Sequence, residues 1–451
     1  MDINNISLSI PSEYSQKPNT DFVIHEGQLI IQADNEKAIL SEGKIVFSWF
    51  PTPKLRFSAR LKVQYSVPFN QEISVNFQNK RTKAKIFKIK SDVEFSIVQG
   101  SILNYEIEKN IKISRVYCHI TNFPDFDGQE HIKDSVRAYF FDRLILNNGD
   151  WTIKIDPLRH NKNKITKLLK ESFGFAITHV ATLEKVDEGQ FLLDEISQLL
   201  EGLHYFLSFL AGRWVSPILL NAQEASGKTI PLPIVHYKTT SFKVVKSWFP
   251  FSATEHISSM FKEFMRFYLD EDWLEPLQLL ISFYIESNIS GVEQGIMMSQ
   301  STFELLAWLT LTQHNFIISE QTLDKLPAHD LLRLLFSWHN IPTDMPPIDN
   351  MTMLQSLQKL SAANNYSDSP ECITQIRNRI THPKRKNKSE KKNKTSLLKY
   401  SFAERIETWD LCLWYLEMCL LKLFDYQGIY RNRLRFTGSS DFDFLPWLSN
   451  T

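Results

Sequence analysis

Cysteine is scarce in this sequence, with four in 451 residues. Cys118, Cys372, Cys412 and Cys419 include no closely spaced pair of the kind that holds zinc, and they are too sparse for the disulfide scaffold of a small secreted domain. A reducing, cytoplasmic compartment is the expectation. Long apolar runs are missing as well: no stretch reaches the roughly 18 uninterrupted residues of a membrane span. The best candidate, 411–424, carries Glu417 and Lys422 and reads as a buried helix, so no membrane partner is expected. Residues Met1–Gln16 lack the basic segment and apolar core of an export signal. An excess of charge of either sign is absent too, since Lys plus Arg and Asp plus Glu are 51 each. No overall field draws the chain to nucleic acid, and any such contact must be local.

What is present is the composition of a globular protein. Apolar residues make up 43% and charged residues 23%, and Phe 32, Tyr 14 and Trp 10 give an aromatic-rich chain, which argues against bulk disorder. The length predicts two or three domains.

The periodicity predicts an α+β protein in which a β-rich antiparallel sandwich or open, barrel-like sheet precedes a helical bundle. Short runs such as Phe22-Val23-Ile24, Leu29-Ile30-Ile31, Ile45-Val46-Phe47 and Val93-Glu94-Phe95-Ser96-Ile97 read as strands. Asn147-Asn148-Gly149-Asp150 between two such runs reads as a hairpin turn. Strands without interleaved helices argue against a nucleotide-binding parallel sheet. From about residue 188 the period changes: Leu192, Ile196, Leu199, Leu203, Phe206 and Leu210 share one helical stripe, and Phe402, Ile406, Trp409, Leu413, Leu416 and Leu420 repeat it. Helices are expected at 257–274, 276–289, 292–313, 329–339, 351–363 and 370–381, with an irregular, proline-rich connector at 214–250. The resulting division is 1–185, 186–254, 255–430 and a tail at 431–451.

Several chemical motifs fail on context. Ala222-Gln223-Glu224-Ala225-Ser226-Gly227-Lys228-Thr229 resembles a phosphate-binding loop but lacks its first glycine, and Ile230-Pro231-Leu232-Pro233 does not readily start the required helix. Asp125-Phe126-Asp127-Gly128 lacks the distal glutamate of a calcium loop. Cys118 and His119 are adjacent and, on a strand, face opposite sides. Cys412 and Cys419 read as core filling. No metal or cofactor is expected.

The residues left are Cys372–Lys394. Ser369 and Pro370 suit a helix start, and Pro383 should end that helix at His382. Ile373, Ile376 and Ile380 share one face, and Arg377 lies only about 40° from Ile373 on the wheel. A guanidinium so placed belongs at a cleft or subunit contact where an anion or hydrogen-bond network meets it. His382, five residues on, points about 140° away on a continuous helix, so the helix end or a dimer axis must unite the pair. Arg333 and His339 form a second Arg-x5-His spacing, but apolar neighbours surround it.

Arg377-Asn378-Arg379-Ile380-Thr381-His382 within a helical domain resembles the HEPN superfamily, whose R-x4-6-H motif forms a metal-independent ribonuclease site, commonly at a dimer interface. The match looks like the ApeA-like HEPN group, associated with bacterial anti-phage defence. It covers about residues 255–428, and Phe303-Glu304-Leu305-Leu306-Ala307-Trp308-Leu309 adds to it. The resemblance implies that His382 acts as general acid or base, Arg377 binds the scissile phosphate and Asn378 orients the histidine or contacts phosphate. The products would be a 2′,3′-cyclic phosphate and a 5′-hydroxyl. Glu304 is a candidate ion-pair partner for Arg377. Lys384, Arg385, Lys386 and Lys388 open a basic stretch that would neutralise RNA phosphates. The expected partners are an RNA substrate, a second copy of the chain and a phage-derived or cellular trigger sensed by the β-rich region. Alternatives are a noncatalytic RNA-binding or interaction module, and a scaffold in which Arg377 is structural and His382 merely ends a helix.

Overall fold

The computed structural model describes residues 17–33, 36–62, 71–106, 110–128, 130–132, 140–158, 162–232, 237–347, 352–382, 400–435 and 442–448. The chain divides into two compact units, Met1–His204 with Val215–Val244, and Tyr205–Trp214 with Val245–Thr451.

The first unit opens with a closed six-stranded barrel. Its strands are β1 (Phe22–Ala33), β2 (Ile39–Ser48), β3 (Lys54–Leu61), β4 (Glu72–Asn76), β5 (Arg81–Ser91) and β6 (Ser96–Glu106), in the order β1-β2-β3-β6-β5-β4. Pairing of β1 with both β2 and β4 closes the ring, which removes exposed sheet edges. Alternation drives the closure: along β3, Leu55, Phe57, Ala59 and Leu61 are buried while the residues between them are not. These side chains join Trp49, Val75, Ile86 and Val98 in one core. Gly100 is there because the backbone must approach closely. A Cβ at this position would collide with the Phe57 ring and the Lys85 carbonyl.

The run Val93–Ile97 is not one strand. Val93–Phe95 form the β5–β6 turn, in which the Asp92 amide donates to the Phe95 carbonyl and the Asp92 carboxylate accepts from the Val93 amide. Local side-chain capping outweighs the β propensity of Val93.

A seven-stranded antiparallel sheet completes this unit. It contains β7 (Ile113–Thr121), β8 (Glu130–Ile132), β9 (Phe140–Asn148) and β10 (Trp151–Pro157), followed by helix α1 (Lys162–Ser172) and β11 (Ile177–Lys185). After helix α2 (Leu193–Ala211) come β12 (Pro217–Glu224) and β13 (Thr229–Pro231), and the order is β13-β12-β7-β11-β10-β9-β8. The β9–β10 hairpin pairs Asn148 with Trp151, so Gly149 and Asp150 make the turn, with Gly149 at φ +55°. The connector expected at 214–250 is therefore partly regular, because β12 pairs with β7 over Pro217–Glu224. Pro217 is tolerated as the first residue of its strand. The segment resembling a phosphate loop is the β12–β13 hairpin turn, with the Glu224 amide donating to the Lys228 carbonyl at 2.9 Å.

The second unit is mainly helical: α3 (Ile257–Tyr268), α4 (Leu274–Ile289), α5 (Val292–Ala307), α6 (Glu320–Leu323), α7 (Ala328–Trp338), α8 (Gln355–Asn364), α9 (Ser369–Thr381) and α10 (Phe402–Leu423). A short ribbon of β14 (Ile429–Arg431) and β15 (Phe442–Phe444) follows. The single helix expected at 292–313 instead changes at Trp308–His314 to a π-helical turn. Here the hydroxyls of Thr310 and Thr312 donate to carbonyls four residues back, at 2.7 and 2.6 Å. Helix α10 begins in a reciprocal cap between Ser401 and Glu404 and is buried throughout Leu411–Leu421. No helix among the described residues is long and apolar enough to cross a membrane.

Candidate active site

Helix α9 starts one residue earlier than its hydroxyl suggested. Asp368 is the N-cap and accepts from the Glu371 amide at 2.9 Å, while Ser369 turns its hydroxyl to the Asp344 carbonyl at 3.2 Å. A carboxylate is the stronger acceptor for the helix amides, and Pro370 is accommodated in the first turn. Ile373 and Ile376 are buried, Ile380 is half-buried and Gln375 is exposed, so the apolar face lies where the wheel placed it.

Arg377 is half-buried beside that face. Its Nη1 donates to Asn378 Oδ1 at 3.0 Å, and its Nη2 lies 3.6 Å from Glu304 Oε1 on α5. Its Nε is buried and has no hydrogen-bond partner. Glu304, half-exposed, also accepts from Gln300 Nε2 at 3.1 Å. The helix then closes through Thr381, whose hydroxyl donates to the carbonyls of Arg377 and Asn378 at 3.1 and 3.2 Å. The His382 amide donates to the Asn378 carbonyl at 2.9 Å, and the backbone leaves the helix at φ −124°, ψ 68°. His382 itself is exposed.

The structure thus brings Arg377, Asn378 and Glu304 together and leaves His382 at the open end of the same helix. Among the described residues no hydrogen bond or ion pair joins Arg377 to His382. Lys384, Arg385, Lys386 and Lys388 lie outside the described residues. Chemically, Arg377 is an incompletely engaged cation. A contact of 3.6 Å to a half-exposed carboxylate is a weak restraint. Nη2, restrained only by that contact, is the nitrogen left for a phosphate oxygen, whereas Nε is enclosed in the fold.

The second Arg–His spacing is fully committed. Arg333 donates to both carboxylate oxygens of Asp368, to Asp330 at 2.7 Å and to the Ser367 hydroxyl at 2.8 Å. Those acidic partners, Asp368 first, hold its pKa above the ordinary arginine range. His339 caps the C-terminal end of α7 and is buried; burial, aided by the charge of Lys422, pushes its pKa down to about 4.

The other sequence candidates are structural. All four cysteines are free and buried, and burial pushes Cys118 and Cys372 up to about 12, which removes thiolate reactivity. Cys118 and His119 lie side by side on β7 inside the first unit, and His119 is pushed down to about 4 by burial. Asp125 accepts from the Thr166 hydroxyl on α1 at 3.0 Å. Among the described residues no group of three His, Cys, Asp or Glu is placed to hold a metal ion.

Sequence reasoning missed a buried ionic cluster in the helical unit. Arg433 pairs with Glu417 through two hydrogen bonds and lies 3.6 Å from Asp410, which also holds Lys246 at 2.8 Å. Tyr284 donates to Glu417 at 2.8 Å, and Asn288 binds the carbonyls of Gly212 and Lys246. Two acids face two bases, so the cluster is compensated and hydrogen-bonded, as an interior requires. Burial opposes the charge of Arg433, but Glu417 and Asp410 outweigh it and the pKa stays raised. The sequence signal was Glu417 within the apolar stretch Leu411–Leu421 of α10, but its cation lies 16 residues away and outside the helix.

Comparison with known proteins gives two matching family models, the YopA central domain over residues 108–243 and the YopA C-terminal domain over residues 270–442. The barrel strands β1–β6 precede both spans, and the second span contains α4 to α10 with Arg377 and His382. No solved structure matches the chain. Over 447 residues, 95% of each chain, the protein is 28% identical to the SPbeta prophage-derived uncharacterized protein YopA of Bacillus subtilis (strain 168).

Proposed function

We propose that the helical unit is a metal-independent endoribonuclease of HEPN type, acting as a bacterial anti-phage or abortive-infection effector under control of the β-rich unit. The observation that carries this reading is the state of Arg377: half-buried, flanked by Asn378, only weakly held by Glu304, and on the same helix as an exposed His382. Arg377 takes the scissile phosphate and His382 moves the proton between the 2′-hydroxyl, the leaving 5′-oxygen and solvent. Asn378 positions the guanidinium in the resting site and meets a phosphate oxygen or His382 when substrate is bound. Glu304 occupies the arginine until RNA displaces it. A second copy of the chain brings another Arg377–His382 set across the dimer axis, which supplies the pairing that one helix cannot make. Lys384, Arg385, Lys386 and Lys388 add a local, salt-sensitive contact to RNA. The buried, unpaired thiols fit a reducing cytoplasm, and the prophage origin of the Bacillus subtilis relative fits a role in phage–host conflict.

One observation favours a second reading, a noncatalytic RNA-binding or interaction module: within one chain Arg377 and His382 share no hydrogen bond. Incubating the parent, His382→Ala and Arg377→Ala with total cellular RNA in EDTA separates the two. Cleavage by the parent alone, with cyclic phosphate ends, supports the nuclease. Salt-sensitive RNA binding without cleavage, in vitro and in cells under phage challenge, selects the binding module.

A further inference from the structure

The first unit contains an open cleft of about 980 Å³, within the range of small-molecule sites. Segments of the unit that are far apart in sequence form it. Lys80 and Arg81 come from the β4–β5 turn and the start of β5, Tyr105 and Glu106 from the end of β6, and Lys112 from the approach to β7. Glu224, Ser226 and Lys228 come from the β12–β13 turn.

The charges in this cleft do not balance, although those of the whole chain do. Among the described lining residues, Lys80, Arg81, Lys112 and Lys228 face two carboxylates, Glu106 and Glu224. Glu224 is already engaged, lying 3.9 Å from Lys228 Nζ and accepting from the Ser226 hydroxyl at 3.2 Å. Glu106 stands opposite Arg81 in the β5–β6 register. Arg81 and Lys112 form no ion pair among the described residues. Lys80, which lines the cleft, is half-buried, its backbone is locked by two hydrogen bonds with Phe77, and its Nζ lies 5.5 Å from the centroid of the Phe77 ring. Burial lowers its pKa, a cost that a bound anion would relieve.

We propose that this cleft binds a phosphate-bearing small molecule of nucleotide size, with its phosphates held by Lys80, Arg81, Lys112 and Lys228 and its remaining part lying along Tyr105. Recognition is by side chains. Two amides of the β12–β13 turn are spent within it: Gly227 donates to the Glu224 carbonyl at 2.9 Å and Lys228 to the Ser226 hydroxyl at 3.3 Å. The resemblance of this turn to a phosphate loop is therefore not its mechanism, but its lysine serves the same kind of ligand. The site lies wholly in the first unit and does not depend on the ribonuclease reading.

The test is calorimetric titration of the full chain in EDTA with ATP, inorganic tripolyphosphate and adenosine, at low and at high salt. The two phosphates bind and adenosine does not, and Arg81→Gln with Lys112→Gln weakens them about tenfold or more, with an unchanged melting temperature. Both substituted side chains are exposed, so folding is preserved. Lys83→Gln, an exposed lysine on the same strand outside the cleft, leaves affinity unchanged. Tighter binding of ATP than of tripolyphosphate, lost in Tyr105→Ala, identifies a nucleotide; equal binding identifies the phosphate chain alone, and both uphold the site. Absence of phosphate binding at about 1 mM, or an equal loss in Lys83→Gln, overturns it.

Discussion

Two arginine–histidine spacings occur in the helical unit, and they have opposite fates. Arg333 is saturated by Asp330, Ser367 and Asp368, and His339 is buried with a depressed pKa. Arg377 has one neighbouring amide, one carboxylate at 3.6 Å and an unpaired Nε, and its histidine is exposed. The spacing alone carries no chemical information. What separates the two is whether acids of the fold have already taken the guanidinium. Asp368 does so for Arg333 while also capping α9, so the first pair builds the helix on which the second pair rides.

The largest expected effect sharpens this contrast in activity. His382→Ala is expected to slow RNA cleavage by about 100- to 10,000-fold with an unchanged melting temperature, whereas His339→Leu changes stability and leaves the rate of the folded protein intact. Parallel cleavage assays and thermal melts measure both.

The next effect is in pH. His339 is held near 4 in the fold and titrates near 6.5 when unfolded, so the unfolded chain binds more protons between those values. Stability is complete above about pH 6.5 and falls on acidification toward pH 4, by up to about 3 kcal/mol for this histidine. His119 and His204, pushed down to about 4 by burial, act in the same direction. Denaturant melts of the parent and His339→Leu at pH 7 and pH 4.5 isolate its share, and parallel curves would refute it.

Arg333→Ala is expected to cost about 2 kcal/mol, because it strips charged hydrogen bonds from a capping carboxylate that is mostly buried. Arg377→Ala, with weaker partners, is expected to cost less, which equilibrium unfolding would show. The smallest effect breaks the comparison from the other side. Glu304→Gln frees Arg377 and is expected to tighten RNA binding less than about fivefold, under about 1 kcal/mol. Weaker binding in that variant would mean that Glu304 aligns the arginine and does not restrain it.

Much of the architecture was legible because it rests on periodicity. The stripes of α2 and α10 and the alternation in the barrel strands each report one buried face. Barrel closure was left open against a sandwich, since β1 meets β4 through pairing that no local pattern encodes. Helix α1 escaped notice because only Ile165 and Leu169 anchor its lysine-rich turns. Strand β12 was hidden by Pro217 at its start, and the π-helical turn by side-chain bonds that hydropathy does not record. At the site, the wheel placed Arg377 beside the apolar face and anticipated Glu304, but gave no account of Asp368, whose double role depends on a helix 35 residues away. The ionic cluster was unreadable for the same reason: it joins Lys246, Asp410, Glu417 and Arg433 across distant parts of the chain.

That cluster also sets an order of events during synthesis. Asp410 and Glu417 leave the ribosome on α10 before Arg433 does, and Lys246 alone cannot neutralise both. Until the segment beyond the helix emerges, α10 offers an uncompensated carboxylate to an apolar interior, and an unpaired buried charge costs several kcal/mol. The helical unit therefore cannot settle while its chain is still being extended through α10. Its final docking waits for a single late arginine, and a product stopped just after Leu423 would remain open for quality-control proteases to find.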